Sequence, residues 1–275
     1  MPTCLILSFA SAGFAGQKNE EKKDEKKDEK KAQQKKPEQG NLTAEQVAET
    51  VILVSGQRER LAQIRRSGVE RGVITHTNED GRAENISYER SFKRGESTEK
   101  DKVRLDQKKP SLEYSLIFNE GQVWGQVKGT AFTPRQEDVA DFLAESQHGL
   151  DALLRYKENG SSLNLAGKET QKGIEMWVLD VTNKNKQSTR YFISKKSGRV
   201  LSLEYDDAAT VGGKPDKIKR TYHDYQIVQG TSVPKRSMLF VNDKLVDEAQ
   251  VLSVTYGIKI EDALFQNPEA AAAQP

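Results

Sequence analysis

Hydrophobic positions change their period twice along the chain. From Leu42 onward Val47, Val51 and Val54, then Leu61 and Ile64, recur at helical spacing. Thr43-Ala44-Glu45-Gln46 supplies a capping box, in which Thr43 caps the N3 amide and Gln46 reaches back. Ser55-Gly56 interrupts the stripe, so the pattern predicts an amphipathic helix broken near the glycine. From Gly68 the period falls to two: Val73 to Thr77, then Ile86, Tyr88 and Phe92, then Val103 and Leu105, then Leu112, Tyr114, Leu116 and Phe118. Such alternation marks antiparallel strands with one apolar and one wet face. Asn119-Glu120-Gly121 turns the chain into a strand at Val123-Trp124.

A second helical stripe, Val139, Phe142, Leu143, Leu150, Leu153 and Leu154, interrupts the strands, with Thr133 read as N-cap, Pro134 as N1 and Gln136 as N3. Strands resume at 161–169, 174–182, 188–195, 198–206, 216–228, 232–241 and 245–256. Asn183 to Lys186, Ser197-Gly198, the Gly212-Gly213 loop, Gly230 and Asn242-Asp243 separate them. About twelve strands and two helices on hairpin-length connections predict a mainly β, α+β fold, an antiparallel meander crossed by helices.

The N-terminus differs from the rest. Residues 4–15 are a short apolar run ending in small residues, with an A-x-A at Ala10-Ser11-Ala12, which reads as a secretory signal over 1–15. A basic n-region is missing ahead of it, so the natural start is expected upstream. Residues 16–40 carry an EKKD repeat with no apolar anchor and read as a disordered Lys/Glu-rich linker. The folded domain is placed at 41–268 and a disordered tail at 269–275.

Composition narrows the function. Residues 1–40 hold nine lysines and seven acids, and the remaining 34 basic residues are matched by 34 acidic ones. A neutral domain offers no field for generic nucleic-acid binding. The single cysteine, Cys4, precludes a disulfide framework or CxxC motif. No apolar run approaches the ~18 residues of a membrane-spanning helix. No G-x-S-x-G elbow, HExxH or EF-hand spacing occurs, and His76, His148 and His223 are far apart, so neither an enzyme, a metal site nor a cofactor is expected. Val211-Gly212-Gly213-Lys214-Pro215 lacks phosphate-loop spacing and reads as a hairpin loop.

What the sequence offers instead is apolar strand surface. In 174–181 Ile174, Met176 and Val178 fall on one face and Trp177, Leu179 and Val181 on the other, so both faces call for burial. Tyr191 and Ile193, Leu201 and Leu203, then Met238 and Phe240 extend an apolar wall, to which Tyr88, Phe92, Leu105, Tyr114, Leu116, Phe118 and Trp124 add from the first half. A plain core covered by the helices is one reading. The other is a cavity for an apolar ligand, because two helices cannot cover about twelve strands. In that second reading Phe142, Leu143, Leu150 and Leu154 face the cavity as a lid.

The arrangement resembles the periplasmic outer-membrane lipoprotein-sorting carrier family, the LolA/LolB-like proteins. The resemblance runs over roughly 43–266: an exported start, a helix before the first strand, a helix inserted in mid-chain, and paired late strands at Arg190-Tyr191-Phe192-Ile193 and Arg199-Val200-Leu201. The closing segment Tyr256 to Phe265, with an aliphatic residue, an acid and Leu264-Phe265 ahead of Pro268, is similar to the family's own. It implies an unclosed β half-barrel with a helical lid, binding lipid or lipoprotein acyl chains without catalysis, in the periplasm, as a monomer, between envelope membrane-protein donor and acceptor. An arginine latches the lid in that family; Arg90, Arg104, Arg190 and Arg236 are the candidates here. The same half-barrel in an envelope sensor that binds a partner protein is the alternative.

Overall fold

The computed structural model describes residues 42–78, 80–207 and 214–267. The signal, linker and tail expected at 1–15, 16–40 and 269–275, the Gly212-Gly213 loop and Pro268 lie outside them.

The first helix, α1 (Ala44–Ser55), starts on the capping box: the Gln46 amide donates to the Thr43 hydroxyl at 3.2 Å and the Thr43 amide to the Gln46 side chain at 2.8 Å. Gly56, at a φ of 136°, ends it, and α2 (Arg58–Ile64) follows. The chain then meanders through β1 (Ser67–Thr77), β2 (Ala83–Lys93), β3 (Lys102–Lys108), β4 (Glu113–Asn119), β5 (Gln122–Val127) and β6 (Thr130–Phe132). Helices α3 (Gln136–His148) and α4 (Leu150–Leu154) come next. A second meander runs through β7 (Ser162–Gln171), β8 (Ile174–Thr182), β9 (Ser188–Ser194), β10 (Val200–Asp207), β11 (Asp216–Val228), β12 (Thr231–Val241) and β13 (Lys244–Tyr256). A 3-10 turn at Asp262–Phe265 packs on β3 and β4.

All thirteen strands form one antiparallel sheet in the order β6-β5-β4-β3-β2-β1-β13-β12-β11-β10-β9-β8-β7. The two meanders join in the middle, where β1 pairs with β13, and end on two free edges, β6 and β7. Because β6 and β7 do not pair, the sheet stays open, an unclosed half-barrel. Helices α3 and α4 are the connection between the two edges, so the chain crosses the mouth of the curl to begin its second meander. Register slips at Arg71/Gly72, Leu165/Gly167, Val200/Ser202 and Leu239/Phe240 each add local twist and bend to the ladder.

Three details depart from the sequence reading. The short β6 is an extra strand, too brief for a period to register. The Thr133 cap is not used: α3 begins at Gln136 with Arg135 as N-cap and no side-chain cap, and the Arg135 guanidinium instead donates to Asp138 at 2.9 Å and 3.1 Å. The second stripe is two helices rather than one, broken where Gly149 takes an extended backbone.

The main core lies on one half of the concave face. Val47, Ala48, Val51 and Ile52 of α1 and Leu153 and Leu154 of α4 pack with Leu179 and Val181 of β8, Tyr191 and Ile193 of β9, and Val200 and Leu203 of β10. On the opposite face Met176, Val178 and Phe192 form a second cluster with Leu201. Both faces of β8 are thus buried, as its two-sided apolar sequence demands.

Candidate functional site

Helices α1 and α4 fill the concavity over β7–β11 and leave the other half to α3 and the first residues of α4. Beneath α3 lies a cavity of about 520 Å³, within the range of roughly 300–1,000 Å³ usual for small-molecule sites. Its floor follows strand alternation. Ile74, Ile86, Tyr88, Phe92, Leu105, Tyr114 and Leu116 come from β1–β4, and Ile218, Tyr222, Val233, Leu239, Val241, Ala249 and Val251 from β11–β13. Phe142 and Glu145 of α3 and Leu150 and Asp151 of α4 close it from above. Apart from the terminal His148, the residues of α3 are only half-buried or exposed, as befits a helix laid over a void.

Three of the trough's arginines gather at one end and four aspartates at the other, where Arg220 and Lys109 also lie. Along β1 the register pairs Glu70 with Arg90 near one end and His76 with Asp247 near the other, about 20 Å apart at ~3.3 Å per residue. At the first end Arg65 lies 3.8 Å from Asp151, and Arg94 also bonds Asp151. Burial pushes the Asp151 carboxyl up, but the guanidinium groups of Arg94, Arg65, Arg155 and Arg90 more than reverse this and hold it well below the usual carboxylate range. Arg220 reaches Glu145 of α3 at 3.1 Å. Burial raises the Glu70 carboxyl despite Arg90 and the Tyr88 hydroxyl, which donates to it at 2.9 Å. At the far end Asp138, Asp141, Asp207 and Asp247 gather, with His76 Nδ1 2.6 Å from Asp247.

Of the wall residues expected from sequence, Tyr88, Phe92, Leu105, Tyr114 and Leu116 line the trough, as do Phe142 and Leu150 of the lid set. Phe118, Val181, Tyr191 and Leu143 border a separate cavity of about 210 Å³. Leu179, Ile193, Leu203 and Leu154 are core under α1, with Trp177 packed against it. Leu201 is carried to the outer cluster by the bulge between Val200 and Ser202. Met238 and Phe240 are out of phase, because their neighbours Ser237, Leu239 and Val241 line the trough. Trp124 pairs in register with Ile117, on the face opposite Leu116. Among the latch candidates only Arg90 lines the trough. Arg104 bonds Asp106 and Ser115, Arg190 bonds Asp180, and Arg236 lies beside Asp224 and Glu248. The ion pairs to α3 and α4 fall instead to Arg65 at the end of α2, Arg94 just after β2 and Arg220 of β11. For Arg94 and Arg220 the sequence signal is a basic residue at or beside a strand position, and for Arg65 a basic residue at a helix end, both of which read as solvated surface.

Known folds decide what this architecture is. A LolA superfamily protein of Nitrosomonas europaea superposes with a TM-score of 0.57 at 13% identity, over 83% of this chain and 100% of its own. The fold is LolA-like. A DUF1329 family protein of Desulfovibrio piger matches at a TM-score of 0.60 and 14% identity, covering 84% of this chain and 99% of its own. A domain assigned to outer-membrane lipoprotein sorting in Vibrio parahaemolyticus matches at 0.55 and 12%, covering 82% and 96%. No protein-family model and no curated protein matches the sequence. At such identities the LolA-like fold is shared while side chains have diverged, so the trough must be judged on this chain's own residues.

Proposed function

We propose that the protein is an envelope carrier that holds acyl chains of a lipid or lipoprotein in the trough beneath α3 and passes them on without catalysis. The observation that carries this reading is the unfilled half of the concave face: α1 and α4 cover β7–β11, whereas β1–β4 and β11–β13 keep an apolar floor around a cavity of about 520 Å³. Burying a methylene is worth about 0.8 kcal/mol, so a sixteen-carbon chain gains on the order of 10 kcal/mol before ordering costs, enough for stable yet reversible binding. The wall is Tyr88, Phe92, Leu105, Tyr114 and Leu116, with Phe142 and Leu150 as lid. The LolA-like fold supports this role, and the apolar run at 4–15 supports export to the periplasm, where a monomer would shuttle between membrane-bound donor and acceptor.

Mass spectrometry of organic extracts from protein purified from its native envelope tests the reading. A lipid present near one equivalent is expected. Protein that is empty, and retained instead by a membrane partner, would overturn it in favour of a sensor module.

A further inference from the structure

The carboxylates around the arginine end of the trough are already committed to other groups. Asp151 is shared by Arg65 and Arg94. Glu145 lies against Arg220, and Glu70 accepts the Tyr88 hydroxyl. Asp101 takes Arg155 at 2.6 Å. Arg90 is left over. It lines the trough and, among the described residues, makes no hydrogen bond or ion pair; its ring neighbour is Phe92, 5.9 Å away. Arg65, Arg90 and Arg94 of the lining thus share this end with Glu70 and Asp151, and burial raises the Glu70 carboxyl. Burial of Arg90 is outweighed by Glu145, Glu70 and Asp151 nearby, but none forms an ion pair or hydrogen bond with it, so its N–H donors stay open to an anion in the trough.

A second polar group of the trough also lacks a partner. The Tyr222 side chain is 5% exposed and lines the trough, and its buried hydroxyl has no hydrogen-bond partner. Buried polar groups normally find partners; this one packs into the main core and lies in the row of Ile74, toward the middle of the trough. The far end is richer in carboxylates, where Asp138, Asp141, Asp207 and Asp247 face Arg220, Lys109 and His76.

We infer that the natural guest of the trough is an amphiphile with one long apolar chain and one anionic headgroup, a carboxylate or a phosphate, whose charge is completed by Arg90 and whose chain lies on the apolar floor. This rests on the carrier reading and adds a charge requirement that a neutral acyl chain does not meet. The headgroup sits at the arginine end, where Arg90 has open donors, rather than among the carboxylates that outnumber the cations at the other end. A guanidinium suits either anion through two parallel N–H donors.

The test is titration of lipid-free protein with palmitate, hexadecyl phosphate and hexadecanol, followed by intrinsic tryptophan fluorescence and calorimetry, for the wild type, Arg90→Gln and Arg90→Lys. Either anionic ligand is expected to bind at least about tenfold more tightly than hexadecanol, and Arg90→Gln to remove that preference while leaving hexadecanol affinity in place. Preference for palmitate alone assigns a carboxylate, and preference for hexadecyl phosphate alone assigns a phosphate. Carbon-13 NMR of carboxyl-labelled palmitate on the wild type needs no variant, and should show the bound headgroup ionised to lower pH than free palmitate. Equal affinity for all three ligands would overturn the charge requirement and leave acyl binding standing. Failure of all three to bind would overturn both.

Discussion

At the scale of single residues, the decisive groups are buried polar side chains whose partners come from distant parts of the chain. His148 closes α3, stacks on Tyr205 at 3.8 Å and lies 2.7 Å from the Thr189 hydroxyl. Burial lowers its pKa from 6.5 to about 4, against a smaller opposite pull from Asp207. The folded protein therefore holds His148 neutral where the unfolded chain takes up a proton, so its contribution is complete above about pH 6.5 and is lost as pH falls toward 4. The loss amounts to about 3 kcal/mol. Urea unfolding of the wild type across this window should show a drop that His148→Gln lacks, and parallel profiles for the two proteins would contradict the assignment. None of these partnerships was visible as spacing: His148 sits 41 residues from Thr189, and Asp151 is 57 from Arg94.

At the scale of elements, the lid is held by its hinge rather than by its own packing. The Tyr191 hydroxyl donates to the carbonyls of His148 at 2.8 Å and Gly149 at 3.0 Å, fixing the break between α3 and α4 over β9. Tyr191→Phe should cost about 1–3 kcal/mol by leaving the His148 carbonyl without that donor. Denaturant unfolding would measure the loss, with hydrogen exchange showing α3 as the first element to lose protection; an unchanged midpoint would show that the hinge is fixed by something else. Legibility in the sequence divides at this scale. The second meander reads off alternation to within a residue or two, because its strands are long and its turns chemically marked. Which apolar face is core and which is trough does not, since Leu179 and Leu116 alternate identically and only the placement of α1 tells them apart. The phase of Met238 and Phe240 was equally hidden, because strand alternation alone does not say which parity faces inward and β12 is half-buried along both.

At the scale of the whole molecule, the open sheet explains the cavity. Two meanders joined through β1 and β13 curl toward each other, and three of the four helices are spent on one half of the curl. The remaining half keeps a floor that a fold with a closed core would have covered. Ala249 lies mid-floor, in register with Ile74 on β1 and Ser237 on β12, and its neighbour Gln250 is exposed on the other face. Filling the trough with an indole should therefore expel a guest without disturbing the sheet's exterior. Titration of a fluorescent long-chain acyl probe into wild type, Ala249→Trp and Gln250→Trp measures this directly. One equivalent bound by the wild type and Gln250→Trp, with affinity at least about tenfold weaker in Ala249→Trp, is the expected result; undiminished binding by Ala249→Trp would mean that the trough is not where acyl chains are held.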